Sequence, residues 1–306
     1  MTSIAHYHLP GLFEFFEFYK VFLPLWQTRR EFFYDWCDIA SIYGAPGDCL
    51  WGGGRLAFGD ADSNQVYDLM NQYGISARLT FSNSLLRPEH LSDKKCNKLC
   101  EIFSSKKSYN AHNMAVTNGV IVHSDLLKDY LLKNFPELYL VSSTTKVITD
   151  FQRFAEEVRL PEFKYVVPDF RLNKNFSDLK KLCQDEKNKV EFLCNECCSF
   201  YCKEREEFYK NVSRRNLGEE EKEHECKAAG AGNGYRFSLA MRNPAFIGIE
   251  DIKKSYLPMG FSNFKIEGRG LGSALLLEFI LYYMTKPEHQ LEVREALYLD
   301  SMLDLF

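Results

Sequence analysis

Short apolar runs alternate along the chain with longer segments whose apolar residues follow helical spacing. Eight short runs, rich in β-branched and other apolar residues, predict strands at 7–11, 39–44, 77–82, 119–124, 138–143, 165–169, 190–195 and 263–268. Helical spacing predicts helices at 12–33, 62–73, 88–103, 125–134, 149–158, 175–183, 202–212 and 273–284. Strands that alternate with helices in this way indicate a parallel sheet built from βαβ units.

Eight such units in a chain of 306 residues match the size of a (β/α)8 barrel. We therefore predict the α/β class and a TIM-like barrel, regular or irregular, with residues 1–306 as a single domain. A doubly wound open sheet is the alternative, because counting strands does not show whether the sheet closes. Residues 213–236 are predicted to be an inserted loop that bears Cys226, because the charged run EEEKEHE passes there into KAAGAGNG.

The first predicted helix lies in a segment with eleven aromatic residues between Leu12 and Trp36. We expect this helix to pack a wide apolar stripe against the barrel. The alternative is a face that binds a membrane surface or a partner protein. Pro24 is expected to kink the helix or divide it in two.

The chain carries a formal net charge of −4, which argues against a general nucleic-acid-binding or anionic-membrane surface. No apolar run approaches the roughly 20 residues that a membrane span needs. The opening residues, MTSIAHYHLP, lack the basic start and apolar run of a signal peptide. We therefore expect no membrane span and a cytoplasmic location, where thiols stay reduced. Ten cysteines in such a protein indicate buried thiols or a metal site before disulfides.

The cysteines are concentrated after the seventh predicted strand, at the sheet edge where α/β proteins place their sites. Four of the ten lie within the nine residues from Cys194 to Cys202, and Cys226 follows in the predicted loop. Thiolates a few residues apart can converge on one metal, and both zinc and an iron–sulfur cluster accept four of them. The candidate ligands are Cys194, Cys198, Cys202 and Cys226, with Cys197 as a substitute. Thiols that bind no metal are the alternative.

Polar residues at other strand ends predict a polar mouth to the barrel. The run from Glu267 to Gly272 leaves the eighth strand and enters a helix, where backbone N–H groups and Arg269 favour a phosphate or carboxylate. Arg55, in a Trp-Gly-Gly-Gly-Arg turn after the second strand, is a candidate for binding a phosphate or carboxylate in the same way. For both arginines the alternative is an ion pair inside the protein. His123 and Glu196 follow the fourth and seventh strands.

Three groups of motifs lie in the second half of the chain. They are Asn195-Glu196-Cys197-Cys198 with Cys202 and Cys226, Met241-Arg242-Asn243-Pro244 with Phe246, Ile247 and Glu250-Asp251-Ile252, and Phe264-Lys265-Ile266-Glu267-Gly268-Arg269. Together they resemble the collagenase-like peptidase family U32. The resemblance implies a distant member of the iron–sulfur type, a TIM-like barrel that binds a four-iron, four-sulfur (4Fe-4S) cluster through four cysteines. It also implies a group whose better understood members support oxygen-independent hydroxylation of tRNA, rRNA or quinone precursors. The peptidase signature usual in that family is absent.

The clustered cysteines and the polar barrel mouth therefore predict a metal-binding protein with a polar or anionic substrate, a small molecule or an RNA. The resemblance implies that it is an iron–sulfur redox enzyme, such as an oxygen-independent hydroxylase. Candidate catalytic residues are Glu196, His123 and Arg269, and candidate substrate-binding residues are Arg55, Arg242, Glu267 and Arg269.

The alternative is a non-enzymatic protein in which an iron–sulfur or zinc site stabilises the fold, senses redox state or docks a partner. Peptidase chemistry is disfavoured, because the sequence has neither a His-Glu-x-x-His nor a Gly-x-Ser-x-Gly motif. A clustered cysteine with His123 would be the remaining nucleophile and base.

Overall fold

The computed structural model describes residues 4–54, 59–105, 108–109, 115–219, 222, 224–228 and 234–302. In this part of the chain, eight parallel strands form one sheet. They are β1 Ala5–Pro10, β2 Cys37–Gly44, β3 Ser76–Phe81, β4 Gly119–Val122, β5 Tyr139–Ser142, β6 Phe163–Val166, β7 Glu191–Leu193 and β8 Asn263–Lys265. Each coincides with one of the eight predicted strands, to within three residues at either end.

The strands follow one another around a barrel. Their order in the sheet is β6-β5-β4-β3-β2-β1-β8-β7, so that the first strand pairs with the last. A parallel bridge between Val166 of β6 and Val190, next to β7, joins the two edges of the sheet. The prediction of a TIM-like barrel is thus confirmed, in an irregular form whose seam between β6 and β7 is short.

Helices lie between the strands and after the last of them. They are α1 Phe16–Thr28, α2 Ser63–Tyr73, α3 Lys94–Ser104, α4 Asp125–Asn134, α5 Phe151–Arg159, α6 Phe176–Leu179, α7 Gln184–Lys189, α8 Arg205–Asn216, α9 Phe237–Ala240, α10 Ile249–Asp251, α11 Ser273–Tyr283 and α12 Gln290–Met302. A π-helical turn over Ile252–Tyr256 continues α10, and 3-10 turns occupy Arg30–Phe32, Pro88–Ser92, Thr144–Lys146, Phe170–Leu172 and Pro287–His289. Ser108–Tyr109 pairs antiparallel with Ala115–Val116 outside the barrel.

Side-chain caps explain where several helices begin. Asp62 accepts hydrogen bonds of 3.0 Å from two backbone N–H groups in the first turn of α2. Asp93, Ser124 and Asp150 cap α3, α4 and α5 in the same way. These caps satisfy N–H groups that have no partner within the helix. For that reason α2, α4 and α5 begin within two residues of their predicted starts.

Elsewhere the helices depart from the predicted bounds. The predicted helix at 12–33 is shorter, because α1 ends at Thr28 and Pro24 lies inside it without dividing it. The predicted helix at 88–103 is a 3-10 turn followed by α3, which begins after its own cap at Asp93. The helices α7, α9, α10 and α12 were not predicted, and three of these four are six residues or shorter.

The aromatic segment packs against the protein interior as expected. Phe22 and Trp26 of α1 are buried, and their rings contact Phe33 with centroid distances of 6.1 and 4.7 Å. In the ranges given above, no helix is long and apolar enough to cross a membrane. At the predicted 213–236 loop, α8 continues to Asn216, and residues 220, 221, 223 and 229–233 lie outside the described ranges. The loop and the single domain stay predictions.

Candidate functional site

Two hydrogen bonds join the segments that follow the carboxyl ends of β7 and β8. Asn195, just after β7, accepts a hydrogen bond at Oδ1 from the backbone N–H of Glu267 and donates from Nδ2 to the carbonyl of Glu267, at 2.7 and 3.1 Å. Asn195 is fully buried. This exchange places the segment with the clustered cysteines directly beside the strand end that carries Glu267 and Arg269.

The inside of the barrel holds a buried cluster of charges. Glu191 of β7 lies at the centre, with Arg78 Nη1 of β3 at 2.5 Å, Lys265 Nζ of β8 at 3.2 Å and His8 Nε2 of β1 at 3.5 Å. All four side chains are buried. The Lys265 ammonium also lies 3.6 Å from the centre of the Tyr43 ring, a favourable cation–π arrangement. One carboxylate therefore links four strands across the barrel.

Burial and neighbouring charge shift the protonation of this cluster. Burial alone would raise the pKa of Glu191, but the adjacent Arg78 holds it well below its ordinary value. Burial lowers the pKa of Lys265 to about 8, with Arg78 acting in the same direction and Glu191 opposing it. Burial, helped by Arg78, keeps the pKa of His8 far below its ordinary value, so that the imidazole is neutral near pH 7.

A cavity of about 70 Å³ opens at the mouth of the barrel above this cluster, and Lys265 and Glu267 both line it. The hydroxyls of Thr80 and Ser82, at the end of β3, are buried in its wall and have no hydrogen-bond partner in the described ranges. Buried polar groups ordinarily have partners. The two hydroxyls are therefore placed to bond to a ligand or to water. Further hydroxyls come from Ser143, Thr144 and Thr145.

A buried ion pair lies beside the cavity. Arg205 Nη2, at the start of α8, is 2.6 Å from Glu196 Oε2, and both side chains are almost completely buried. Its guanidinium lies 4.7 Å from the ring centre of Phe170 and 3.8 Å from Asp169. Glu196 lines the barrel-mouth cavity, whereas Arg205 lines a second pocket. The ion pair therefore connects the two.

Three of the predicted metal ligands line the second pocket. Cys198, Cys202 and Cys226 all line this space of about 340 Å³, together with His224. Cys198 and Cys202 are partly buried and Cys226 is exposed. We call this space the thiol pocket. Thiols and an imidazole are ligands that suit zinc, and thiolates suit iron–sulfur clusters.

The other two cysteines of the run face elsewhere. Cys194 is buried in the core, where its thiol donates to the carbonyl of Phe192 and burial raises its pKa well above the ordinary value. Cys197 Sγ lies 3.5 Å from Glu196 Oε1 and 3.4 Å from Glu267 Oε1, on the cavity side. The ligand atoms of Glu196, Cys197 and Cys198 all lie within 4.8 Å of one another. Cys197 therefore lies between the carboxylates of the cavity wall and Cys198 of the thiol pocket.

The predicted barrel-mouth residues lie in different environments. Arg269 lines the cavity, but its Nε lies 2.7 Å from Glu14 Oε1. This is an ion pair inside the protein, the alternative to a ligand-binding role for Arg269. His123 shares a 2.9 Å hydrogen bond with Thr145, a cavity residue. Arg242 is exposed and lines neither cavity nor thiol pocket. Arg55 lies outside the described ranges.

Several residues that shape the site were missed in the sequence. Arg78, Glu191, Lys265 and Arg205 were not candidates, although the first three lie inside predicted strands or at their ends. For Arg78, Glu191 and Lys265, the signal in the sequence is a charged residue within an otherwise apolar strand. Arg205 carries no such signal, because it lies in the charged run KEREE, which is typical of an exposed helix start.

No family model and no curated protein sequence matches the chain. Among solved structures, the chain is similar to a U32 peptidase, with a TM-score of 0.53 and 14% sequence identity over 88% of this chain and 94% of the other. At this level of identity the likeness concerns the fold alone. It supports the distant U32-like barrel that the sequence motifs predicted.

Proposed function

We propose that this protein is an iron–sulfur redox enzyme that binds a small polar or anionic molecule at the mouth of its barrel. The observation that carries the proposal is that Cys198, Cys202 and Cys226 line one pocket, next to the barrel-mouth cavity. The Arg205–Glu196 pair lies between them. A redox centre so close to a substrate cavity favours an enzyme over a protein whose metal only stabilises the fold. The resemblance of the sequence motifs makes oxygen-independent hydroxylation the reaction class that we propose.

The thiol pocket supplies the kind of ligand that such a cluster uses. Cys198, Cys202 and Cys226 supply three thiols around about 340 Å³ of space. Cys197, beside Cys198, is our choice for the fourth ligand. Cys194, the ligand favoured by spacing, would have to leave the core to reach the pocket. When bound, an iron–sulfur cluster supplies single-electron transfer.

In the barrel-mouth cavity, the protein's own groups would bind and orient the substrate. Lys265 supplies a positive charge for an anionic group, and the hydroxyls of Thr80 and Ser82 supply hydrogen bonds. Glu267, which already accepts a hydrogen bond from the backbone N–H of Cys197 at 3.1 Å, lines the same cavity. The volume of about 70 Å³ suits a small molecule or a single chemical group better than a structured RNA.

A zinc site is the second candidate, and His224 is the observation that favours it. His224 lines the thiol pocket with the three cysteines, and its Nε2 lies 3.6 Å from Glu204 Oε2. Three thiolates and one imidazole form a common structural zinc site, whose imidazole is often oriented by a carboxylate. In that case the metal would stabilise the segment after β7, and no electron transfer would occur there.

Purification under anaerobic conditions, with iron, acid-labile sulfide and zinc analysis and a visible absorption spectrum, separates the two candidates. We expect a coloured protein with iron and sulfide in equal amounts. Cys198→Ala and Cys226→Ala should each lose most of the iron. Cys183→Ala is the matched control, because Cys183 is exposed like Cys226 but lies outside the thiol pocket.

The fourth ligand is tested in the same series. Cys197→Ala should lose iron, whereas Cys194→Ala should retain the cluster. A colourless protein with one zinc per chain, lost on replacing His224, would overturn the iron–sulfur proposal in favour of zinc. A protein without either metal would overturn both.

A further inference from the structure

Two cysteines far from the thiol pocket lie unusually close together. Cys49 follows β2, in the segment that leads to the glycine run 52–54, and Cys96 lies in the first turn of α3. Their Sγ atoms are 3.2 Å apart. Both side chains are buried, with 2% and 0% exposure. The sequence offered no hint of this contact, because 47 residues separate the two positions.

The surroundings hold the two thiols in place. Trp51, two residues after Cys49, is completely buried, and its indole N–H donates to the carbonyl of His90 at 2.8 Å. Its ring contacts Phe81 edge-on, with a centroid distance of 5.3 Å. Asp48 pairs with Lys95, next to Cys96. These contacts place the 48–51 segment beside β3, the turn at Pro88–Ser92 and the start of α3.

We propose that Cys49 and Cys96 are a modification site: a thiol pair that oxidises to an intrachain disulfide. In exchange with a small dissolved disulfide such as oxidised glutathione, the thiolate of one cysteine attacks, forms a mixed disulfide and releases one glutathione thiol. The second cysteine then displaces the other glutathione. Overall, two protein thiols and one small disulfide give one protein disulfide and two small thiols.

The geometry favours this reaction over reaction with any other cysteine. The Sγ–Sγ separation of 3.2 Å has to shorten only to the bonded length of about 2.05 Å. Cys100 lies one turn further along the same helix and is near enough to Cys49 to interact with it electrostatically, but the thiol–thiol hydrogen bond of Cys49 is to Cys96. The hydrogen bond with Cys49, together with burial, raises the pKa of Cys96. Because thiolate is the reactive form, oxidation should be slow compared with that of an exposed thiol.

A disulfide here would restrain one wall of the barrel mouth. The chain runs from Cys49 through Trp51 to Gly54, which lines the cavity, and the backbone carbonyl of Gly52 accepts a 2.8 Å hydrogen bond from Asn216. Linking Cys49 to α3 would anchor this segment covalently. This inference does not depend on the proposed function, because it requires neither a metal nor a substrate.

The test is to incubate the purified chain with oxidised glutathione, block the remaining thiols, and map disulfides by peptide mass spectrometry without reduction. We expect a Cys49–Cys96 cross-link that forms more slowly than mixed disulfides at the exposed Cys183 and Cys226. Cys49→Ser and Cys96→Ser should abolish it, whereas Cys100→Ser, a buried thiol one turn further along α3, should not. Oxidised wild-type protein should melt about 5 °C above its reduced form, because the cross-link restricts the unfolded chain.

The wild-type mapping needs no variant to fold, so the proposal is testable even if a serine at either position destabilises the protein. Both thiols remaining free after prolonged oxidation would overturn it. So would a cross-link that joins either cysteine to a different partner while the protein stays folded.

Discussion

His123 lies one hydrogen bond from the barrel-mouth cavity, through Thr145. Burial, reinforced by the nearby Lys146, lowers its pKa to about 4. The neutral imidazole is therefore the form that the fold accommodates near pH 7. Its hydrogen bond to Thr145 contributes to the packing of this wall, and the catalytic role of His123 stays a prediction.

The lowered pKa of His123 predicts a loss of stability in acid. The unfolded chain, with an ordinary histidine pKa near 6.5, binds a proton more readily than the folded chain, so stability is lost as the pH falls from 6.5 toward 4. His123→Gln keeps a hydrogen-bonding side chain and removes this titration. In urea denaturation between pH 4.5 and 7.5, we expect the free energy of unfolding of the variant to depend less on pH than that of the wild type. The two slopes should differ by up to about 1.4 kcal/mol per pH unit, and by less where water reaches the side chain.

His289→Gln is the comparison for that measurement, because His289 is partly buried, pairs with Glu292 and lines neither the cavity nor the thiol pocket. We expect the His123 variant to change the pH dependence of stability more than the His289 variant does. If the stability of both variants depended on pH as that of the wild type does, the prediction of a lowered pKa for His123 would be wrong.

At the residue scale, spacing identified the cysteine run but not the direction in which each thiol points. Cys194 lies only one residue past β7, so its side chain follows the alternation of the strand into the core. Cys198 and Cys202 lie where the chain has left the strand, and there no periodicity fixes a side chain's direction. For this reason the sequence could place a group of thiols at the strand end but could not choose its members.

At the scale of elements, the glycine run after β2 packs directly on the end of β3. A Cβ atom at Gly53 would lie 2.4 Å from the backbone carbonyl carbon and oxygen of Ser82 and 2.6 Å from the backbone nitrogen of Asn83. These are backbone atoms, which cannot move aside as a flexible side chain would. The absence of a side chain at Gly53 therefore lets the segment close this wall of the cavity.

Gly53→Ala should accordingly lower the free energy of unfolding by about 1–3 kcal/mol, through overpacking against β3. Gly47→Ala is the matched control in the same segment, because its nearest atom would be at an ordinary contact distance of 3.6 Å. Chemical denaturation of both variants measures the difference. Equal stabilities would mean that the segment moves away from Ser82 without cost.

Elements themselves were largely predictable, since apolar runs and side-chain caps are local signals. The eight strands and the starts of α2, α4 and α5 follow from them. The short helices α7, α9 and α10 were not predicted because three to six residues cannot display a helical period. α12 is long, but it has no wide apolar face that distinguishes it from the surrounding polar sequence.

At the scale of the whole molecule, the carboxylate of Glu191 is the charge on which the barrel interior depends. Glu191→Gln would leave Arg78 and Lys265 buried without a balancing charge. Breaking a buried ion pair from one side typically costs about 3–5 kcal/mol, because the remaining charge stays out of water. We expect a loss of that size in urea denaturation.

Glu101→Gln provides the comparison for the whole-molecule prediction, because Glu101 pairs with Lys98 on the exposed face of α3. Solvent screens such a pair, so its loss should leave the unfolding midpoint nearly unchanged. If the two substitutions had similar effects, the buried cluster would contribute no more than a surface pair. The cluster itself was beyond sequence analysis, because its members come from four strands that only the closed barrel brings together.

The position of β8 has a consequence for a chain that is synthesised from its N-terminus. β8 pairs with β1 on one side and with β7 on the other, while β7 meets β6 only at the Val166–Val190 bridge. Until residue 265 has left the ribosome, β7 therefore lacks its main neighbour, and the Asn195–Glu267 hydrogen bonds form only after residue 267 has followed. The segment with the clustered cysteines thus gains its final position only after β8 has been synthesised, later than the six strands β1 to β6.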